Sequence, residues 1–125
     1  MPKLIARTQT QNIVIVSGTT ARTVTYPIKL DSDFRTVRGI YINRNSGSAY
    51  LAVGVKAPSG EAIVDPVNIN HLVAGSNIKI SDRFYKDSPF EADGKTMNIT
   101  VQNFGTLGAD ENFDVILLLD KNPVE

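Results

Sequence analysis

Hydrophobic and polar residues alternate with a period of two along most of the chain, a pattern typical of strands with one buried face. The alternation is clearest in TMNITVQN (96–103), where Met97, Ile99 and Val101 share one face. It recurs in TVTYPIKL (23–30) and AYLAVGVK (49–56). Because no window of about twelve residues carries a helical period of 3.6 with caps, the pattern predicts a chain built of strands.

Weaker alternation predicts further strands, and turn-forming residues separate them. The weaker strand segments are 12–17, 37–43, 62–69 and 77–80. The turn formers include Ser17-Gly18, Asn45-Ser46-Gly47, Pro58-Ser59-Gly60 and Asp93-Gly94. About eight strands with such turns between them predict an all-β chain, either an antiparallel sandwich or a barrel.

Two segments carry extra information about their places in a sheet. Pro27 cannot donate a ladder hydrogen bond, so the strand over 23–30 is expected at a sheet edge or with a bulge. FDVILLLD (113–120) is apolar on both faces, because Ile116 and Leu118 lie opposite its other apolar residues. Such a strand is expected inside a sheet or at a contact between subunits.

The chain of 125 residues is long enough for one domain with its own core. We expect a single β-sandwich domain over 12–121, an N-terminal arm over 1–11 and a short tail over 122–125. The arm is polar and is expected either to order on assembly or to fray. The first residues lack the apolar stretch of a signal peptide, and no apolar run is long enough for a membrane-spanning segment.

Charge argues against nucleic acid as a partner. The 13 basic and 13 acidic residues cancel, whereas nucleic-acid binding needs a basic excess on one face. Arg35, Arg38 and Arg44 flank one predicted strand and form either a small basic patch or a set of surface ion pairs.

The composition also argues against catalysis and bound cofactors. Without cysteine, disulfides, thiolate zinc sites and cysteine nucleophiles are excluded. His71 is the single histidine and has no Gly-x-Ser-x-Gly motif to partner, so we expect it on the surface of a connection between strands. No glycine-rich phosphate loop precedes a helix. We therefore expect a non-enzymatic protein without cofactors.

Two carboxylate pairs are the candidates for metal binding. Asp31 and Asp33 resemble a fragment of a calcium loop, but they lack its glycine and distal glutamate. The alternative is that both accept backbone N–H bonds in a turn. Asp110 and Glu111 are either cation ligands or part of a solvated loop.

Three blocks of the chain together resemble a known group of proteins. They are LDSDFR (30–35) leading into VRGIYI (37–42), DRFY (82–85) followed by FEADGKT (90–96), and the closing strand 113–120. In this order they are similar to small jelly-roll structural proteins of bacteriophage virions. The resemblance implies a β-sandwich of the jelly-roll type and a capsid, penton or vertex, spike-base or decoration subunit, with no catalytic residues.

The resemblance also implies partners and a location. The chain would assemble with copies of itself into a trimer, pentamer or larger ring, and with other virion proteins. It would be found in the virion, after assembly in the host cytoplasm. In a jelly roll the first and last strands share a sheet, so their apolar outward residues would form a patch that a neighbouring subunit covers.

The segment SDRFYKDSPFEADGK (81–95) concentrates side chains suited to contacts. Phe84 and Phe90 are expected to cap the end of the core. Together with the last strand, this segment supplies the candidate interface residues Arg83, Tyr85, Lys86, Ile116 and Leu118.

A carbohydrate-binding, lectin-like β-sandwich is the alternative function. Such modules stack sugars on exposed aromatic rings, and this chain has no tryptophan. The aromatic residues that could serve are Tyr41, Tyr50, Phe84, Tyr85 and Phe90.

Overall fold

The computed structural model describes residues 6–73 and 89–121, which form eight strands and one short helix. The elements are β1 (Ala6–Ile15), β2 (Arg22–Lys29), β3 (Thr36–Ser46), β4 (Leu51–Lys56), β5 (Ala62–Asn68), a single 3₁₀ turn (Ile69–His71), β6 (Phe90–Glu91), β7 (Thr96–Asn103) and β8 (Glu111–Asp120). His71 is exposed in the connection after β5, as predicted.

The strands form two four-stranded antiparallel sheets that pack face to face. The first sheet has the order β1-β8-β3-β6 and the second the order β2-β7-β4-β5. The chain changes sheet at every connection between these strands except the one between β4 and β5. This is the double Greek key of a jelly roll, so the predicted antiparallel sandwich of the jelly-roll type is confirmed.

Alternate residues of the central strands build the core between the sheets. In β8, Phe113, Val115, Leu117 and Leu119 are fully buried. Met97, Ile99 and Val101 of β7 oppose them from the second sheet and are equally buried. β7 spans the segment that the alternation predicted, and β8 lies between β1 and β3, inside its sheet as predicted.

The first strand is longer than the apolar pattern indicated. β1 begins at Ala6, inside the predicted arm, and pairs with β8 residue by residue from Ala6–Asp120 to Ile15–Glu111. Backbone hydrogen bonds to β8 extend the strand through the polar stretch before Asn12, which alternation alone does not mark as buried. Residues 1–5 and 122–125 lie outside the described residues.

A short strand in the second half of the chain was not predicted. Phe90 and Glu91 form β6 and pair with Val37 and Thr36 of β3. Phe90 is buried at the end of the core, as predicted. The strand predicted over 77–80 and the anchor residue Phe84 lie outside the described residues.

Two prolines shape the edges of the second sheet. Pro27 lies in β2, which is an edge strand as predicted. Pro66 lies in β5, where the pairing with β4 shifts register, and its ring is 3.2 Å from the position that a Cβ on Gly54 would occupy. Pro66 thus covers Gly54. Both Ala52 and Gly54 of β4 are buried, although alternation placed them on the outward face.

An ion pair closes the core at one end of the sandwich. Arg44 donates from Nη2 to the Glu111 carboxylate and to the Ala49 carbonyl, 3.1 Å away. The second carboxylate oxygen of Glu111 accepts the Ala49 backbone N–H at 3.2 Å. The side chain of Glu111 is 3% exposed and that of Arg44 is 13% exposed. The expectation of a solvated Glu111 and a surface Arg44 is wrong, because Arg44 pairs with Phe113 at an inward position of β3.

Gly47 leaves the space that the buried carboxylate occupies. A Cβ on Gly47 would lie under 3.0 Å from the Glu111 carboxyl atoms, whereas a Cβ on Gly60 would meet nothing within 4 Å. Both glycines have nearly the same positive φ, +91° and +93°.

Gly47→Ala should therefore destabilise the protein more than Gly60→Ala does. Both changes place a Cβ in the left-handed region, at a cost of about 1–2 kcal/mol. Gly47→Ala adds an overlap with Glu111 that should cost about 1–3 kcal/mol more. Urea unfolding of both variants at one protein concentration measures the difference, and equal losses would show that Glu111 is free to move away.

Candidate interaction surface

The outward surface of β1, β8 and β3 combines apolar and amide side chains and is called here the outer face. It consists of Thr8, Thr10, Asn12, Val14, Gly39, Tyr41, Asn43, Asn45, Asn112, Asp114, Ile116 and Leu118. Asp114 is the one charged residue among them, and Asp120, the next residue of β8 in the same alternation, forms an ion pair with Arg38 at the end of the outer face. Solvated surfaces carry roughly a quarter to a third of charged residues, and the centres of protein interfaces are depleted of them.

The apolar part of the outer face lies at the middle of the sheet. Ile116 pairs with Thr10 on one side and Tyr41 on the other, and Leu118 pairs with Thr8 and Gly39. Ile116, Leu118 and Tyr41 are all partly exposed. The sheet thus brings together Ile116 and Leu118, as the interface prediction requires, and adds Tyr41 from a strand more than seventy residues earlier.

A hydrogen-bonded group of amides and one carboxylate forms the other part of the outer face. Asn12 donates from Nδ2 to Asn112 Oδ1 at 2.7 Å and to Asp114 Oδ1 at 2.8 Å. Asn45 donates to the same two side chains at 3.1 and 3.2 Å, and Asn43 donates to Asn45 at 3.1 Å. These bonds link three strands and hold the polar side chains in place beside the apolar part.

β1 is the terminal strand of the first sheet among the described strands and is regular over its whole length. Its ten residues pair with β8 without a register shift and contain no proline. The other terminal strands are β6, which has two residues, β2, which contains Pro27, and β5, which contains Pro66 and shifts in register. Natural sheets protect their edges by such short strands, prolines and bulges, and β1 has none of these devices.

The carboxylate and arginine residues considered for metal binding and for a basic patch make local contacts. Asp31 accepts the backbone N–H of Asp33 through Oδ1 at 2.9 Å, which is the turn interaction predicted as the alternative to calcium binding. Arg38 forms an ion pair with Asp120 at 3.0 Å, beside the outer face. The interface candidates Arg83, Tyr85 and Lys86 lie outside the described residues, as do two of the aromatic residues considered for sugar stacking.

Two features are absent from residues 6–73 and 89–121. No three histidine, cysteine, aspartate or glutamate side chains come together there as a potential metal-binding group. No helix within these ranges has the length and apolar character needed to cross a membrane.

An exposed aromatic pair at one end of the sandwich was not predicted as a unit. Tyr50 precedes β4 and Phe104 follows β7, and their ring centroids are 5.0 Å apart with planes tilted by 34°. The two residues are 55% and 52% exposed. Tyr50 was among the aromatic residues considered for sugar stacking but Phe104 was not, because only the pairing of Leu51 with Asn103 brings the two rings together.

A shallow cavity of about 200 Å³ lies beside the two rings. We call it the aromatic cleft; its lining residues are Ala49, Tyr50, Phe104, Gly105, Thr106, Leu107 and Gly108.

A buried asparagine holds the loops around the aromatic cleft. Asn103 is 3% exposed, and its Nδ2 donates to the carbonyls of Thr20 and Gly105 at 2.9 and 3.0 Å. Its Oδ1 accepts the Arg22 backbone N–H at 3.2 Å. The backbone of Leu107 also exchanges hydrogen bonds with the loop between β1 and β2. The side chain of Asn103 therefore connects the loop before β2 to the loop before β8.

Comparison with known proteins gives weak structural neighbours only. No protein-family model and no curated protein matches the chain. Among solved structures, the chain aligns with infectious bursal disease virus VP2 in a subviral particle at 9% identity and a TM-score of 0.22. It also aligns with T=1 particles derived from infectious bursal virus at 7% identity and a TM-score of 0.21.

These alignments cover 95% of this chain but only 42% and 41% of the viral chains. The chain thus spans about two fifths of their length. At such TM-scores the likeness carries no argument about function.

Asn103→Ala should destabilise the protein by about 2–3 kcal/mol, because buried carbonyls of two loops lose their donor. Asn98→Ala is the matched control, since Asn98 lies on the same strand at an outward position, and it should change stability by no more than about 0.5 kcal/mol. Urea unfolding checks both. A loss below 1 kcal/mol for Asn103→Ala would show that the loops are held by other contacts.

Proposed function

We propose that this chain is a non-enzymatic structural subunit of a bacteriophage virion that acts by assembling with copies of itself. The observation that carries the proposal is the outer face, where Ile116, Leu118 and Tyr41 lie together between the amide group around Asp114 and the Arg38–Asp120 ion pair. Large apolar side chains on an inner strand of a sheet do not stabilise the fold when that face of the sheet is in contact with water alone.

The composition of the outer face fits an interface between proteins. Interfaces combine an apolar centre, in which aromatic residues are enriched, with a polar rim, and they form about one hydrogen bond per 100–200 Å² of their area. Tyr41, Ile116 and Leu118 supply such a centre, and the linked amides around Asn112 supply donors and acceptors next to it. The amides are already ordered by their mutual hydrogen bonds, which lowers the entropy cost of binding.

The edge of β1 borders the outer face and offers a second element of contact. An unprotected strand edge can pair with a strand of another chain through its main-chain groups. A neighbouring subunit could therefore contact the side chains of the outer face and the edge of β1 at once. A closed ring of such contacts, as a trimer, a pentamer or a larger assembly, would cover every copy of the surface.

The resemblance to small jelly-roll structural proteins of phage virions supports the same function. It implies a location in the virion after assembly in the host cytoplasm, with other virion proteins as further partners. The jelly-roll topology that this resemblance implied is the topology of the chain.

The mass of the protein in solution tests the proposal. Light scattering after size exclusion should give a mass of at least three times the 13.6 kDa of one chain, and the mass should rise with concentration. A protein that stays monomeric at millimolar concentration would contradict self-assembly.

Ile116→Lys and Leu118→Lys should weaken assembly by about 30-fold or more each, because a charge would enter the centre of the interface. Thr100→Lys is the matched control, since Thr100 is a partly buried outward residue on β7, the corresponding central strand of the second sheet. The control should leave the association constant within about threefold. Sedimentation equilibrium measures the constants, and equal effects of all three changes would show that the outer face is not the interface.

A further inference from the structure

We infer that the aromatic cleft is a binding site for one neutral six-membered sugar ring. This inference is independent of self-assembly, because the cleft lies at the loop end of the sandwich, where β4 begins and β7 ends, whereas the outer face is the side of the first sheet. Four properties of the cleft support this inference: its exposed aromatic rings, its volume, its lack of charged side chains and the rigidity of its loops.

The aromatic rings provide the stacking surface. Tyr50 and Phe104 contact each other at 5.0 Å yet each leaves about half of its surface in water. The face of a pyranose ring that carries axial C–H groups is apolar and partly positive, and it is attracted to the negative face of an aromatic ring. Since two rings 5.0 Å apart with planes tilted by 34° are stacked on each other, the surface offered to a ligand is the part of each ring that the other does not cover.

The size and charge of the cleft narrow the ligand class. Its volume of about 200 Å³ is below the roughly 300–1,000 Å³ of sites for drug-sized ligands, so it accommodates one ring. The lining residues Ala49, Tyr50, Phe104, Gly105, Thr106, Leu107 and Gly108 include no charged side chain. A phosphate or carboxylate ligand would find no cation there. A neutral ligand is therefore favoured.

The polar groups of the cleft suit a ligand rich in hydroxyl groups. The hydroxyls of Tyr50 and Thr106 can each donate and accept a hydrogen bond. Gly105 and Gly108 have no side chain, and a Cβ added at either glycine would meet no atom within 4 Å. A ligand can therefore approach the backbone closely at these two positions.

The cleft is rigid before any ligand binds. Asn103 holds the carbonyls of Thr20 and Gly105, and the backbone of Leu107 is fixed by hydrogen bonds of 2.8 and 3.0 Å to Gly18 and Thr19. Preformed loops spare the ordering cost that weakens binding to flexible sites. The small area of the cleft is unsuited to a second protein chain, since stable protein interfaces bury roughly 1,200 Å² or more.

The test uses the methyl glycosides of glucose, galactose, mannose and N-acetylglucosamine as probes of the 125-residue chain. Saturation-transfer NMR should detect at least one of them, with dissociation constants in the millimolar range. Phe104→Ala and Tyr50→Ala should each weaken that binding roughly tenfold, since each removes a stacking surface. Absence of transfer to every probe at 20 mM, or binding unchanged in both variants, would overturn the inference.

Val16→Ala is the matched control, because Val16 is an apolar side chain that is 61% exposed and does not line the cleft. It should leave sugar binding unchanged. If an alanine variant fails to fold, amide shift mapping on the unaltered protein replaces it, and the largest shifts should fall on Gly105, Thr106 and Gly108. Shifts confined to another region would overturn the site. The site would also be overturned if the unaltered protein bound no sugar and Phe104→Ala reduced the mass of the oligomer.

Discussion

The position of β8 between β1 and β3 is the constraint on which the rest of the structure depends. β8 pairs with ten residues of β1 and nine of β3, and its inward side chains are fully buried between the sheets. Its partners lie far away in the chain, from Ala6 opposite Asp120 onward. Because such long-range contacts must close large loops before they stabilise anything, the two halves of the chain fold as one unit.

The outward residues of the same strand, Ile116 and Leu118, are the ones on which the proposed assembly depends. Every second residue of β8 must be apolar to fill the core. Ile116 and Leu118 lie on the other face, where packing of the core does not require apolar side chains. Their apolar character therefore requires another explanation, and contact with a further subunit is the one proposed. The two proposed surfaces are separate parts of the sandwich: the outer face is a face of the first sheet, and the aromatic cleft lies where β4 begins and β7 ends.

Polar side chains also connect the ends of the two sheets. Gln9 of β1 donates to the Lys29 carbonyl at 2.8 Å and accepts the Asp31 backbone N–H at 3.0 Å, which joins the first sheet to the second. The buried pair Arg44–Glu111 and the buried Asn103 act similarly at the loop end. Since an unsatisfied buried polar group is costly, these bonds favour one arrangement of the loops over alternatives.

The sequence by itself determined the strand class, the inward faces of β7 and β8, and the apolar second face at Ile116 and Leu118. These properties depend on the period of two, which is local to each strand. The tertiary structure alone decided the strand order, the burial of Glu111 and the contact between Tyr50 and Phe104. Each of these depends on which distant strands pair and in what register, and a local period contains no information about the partner.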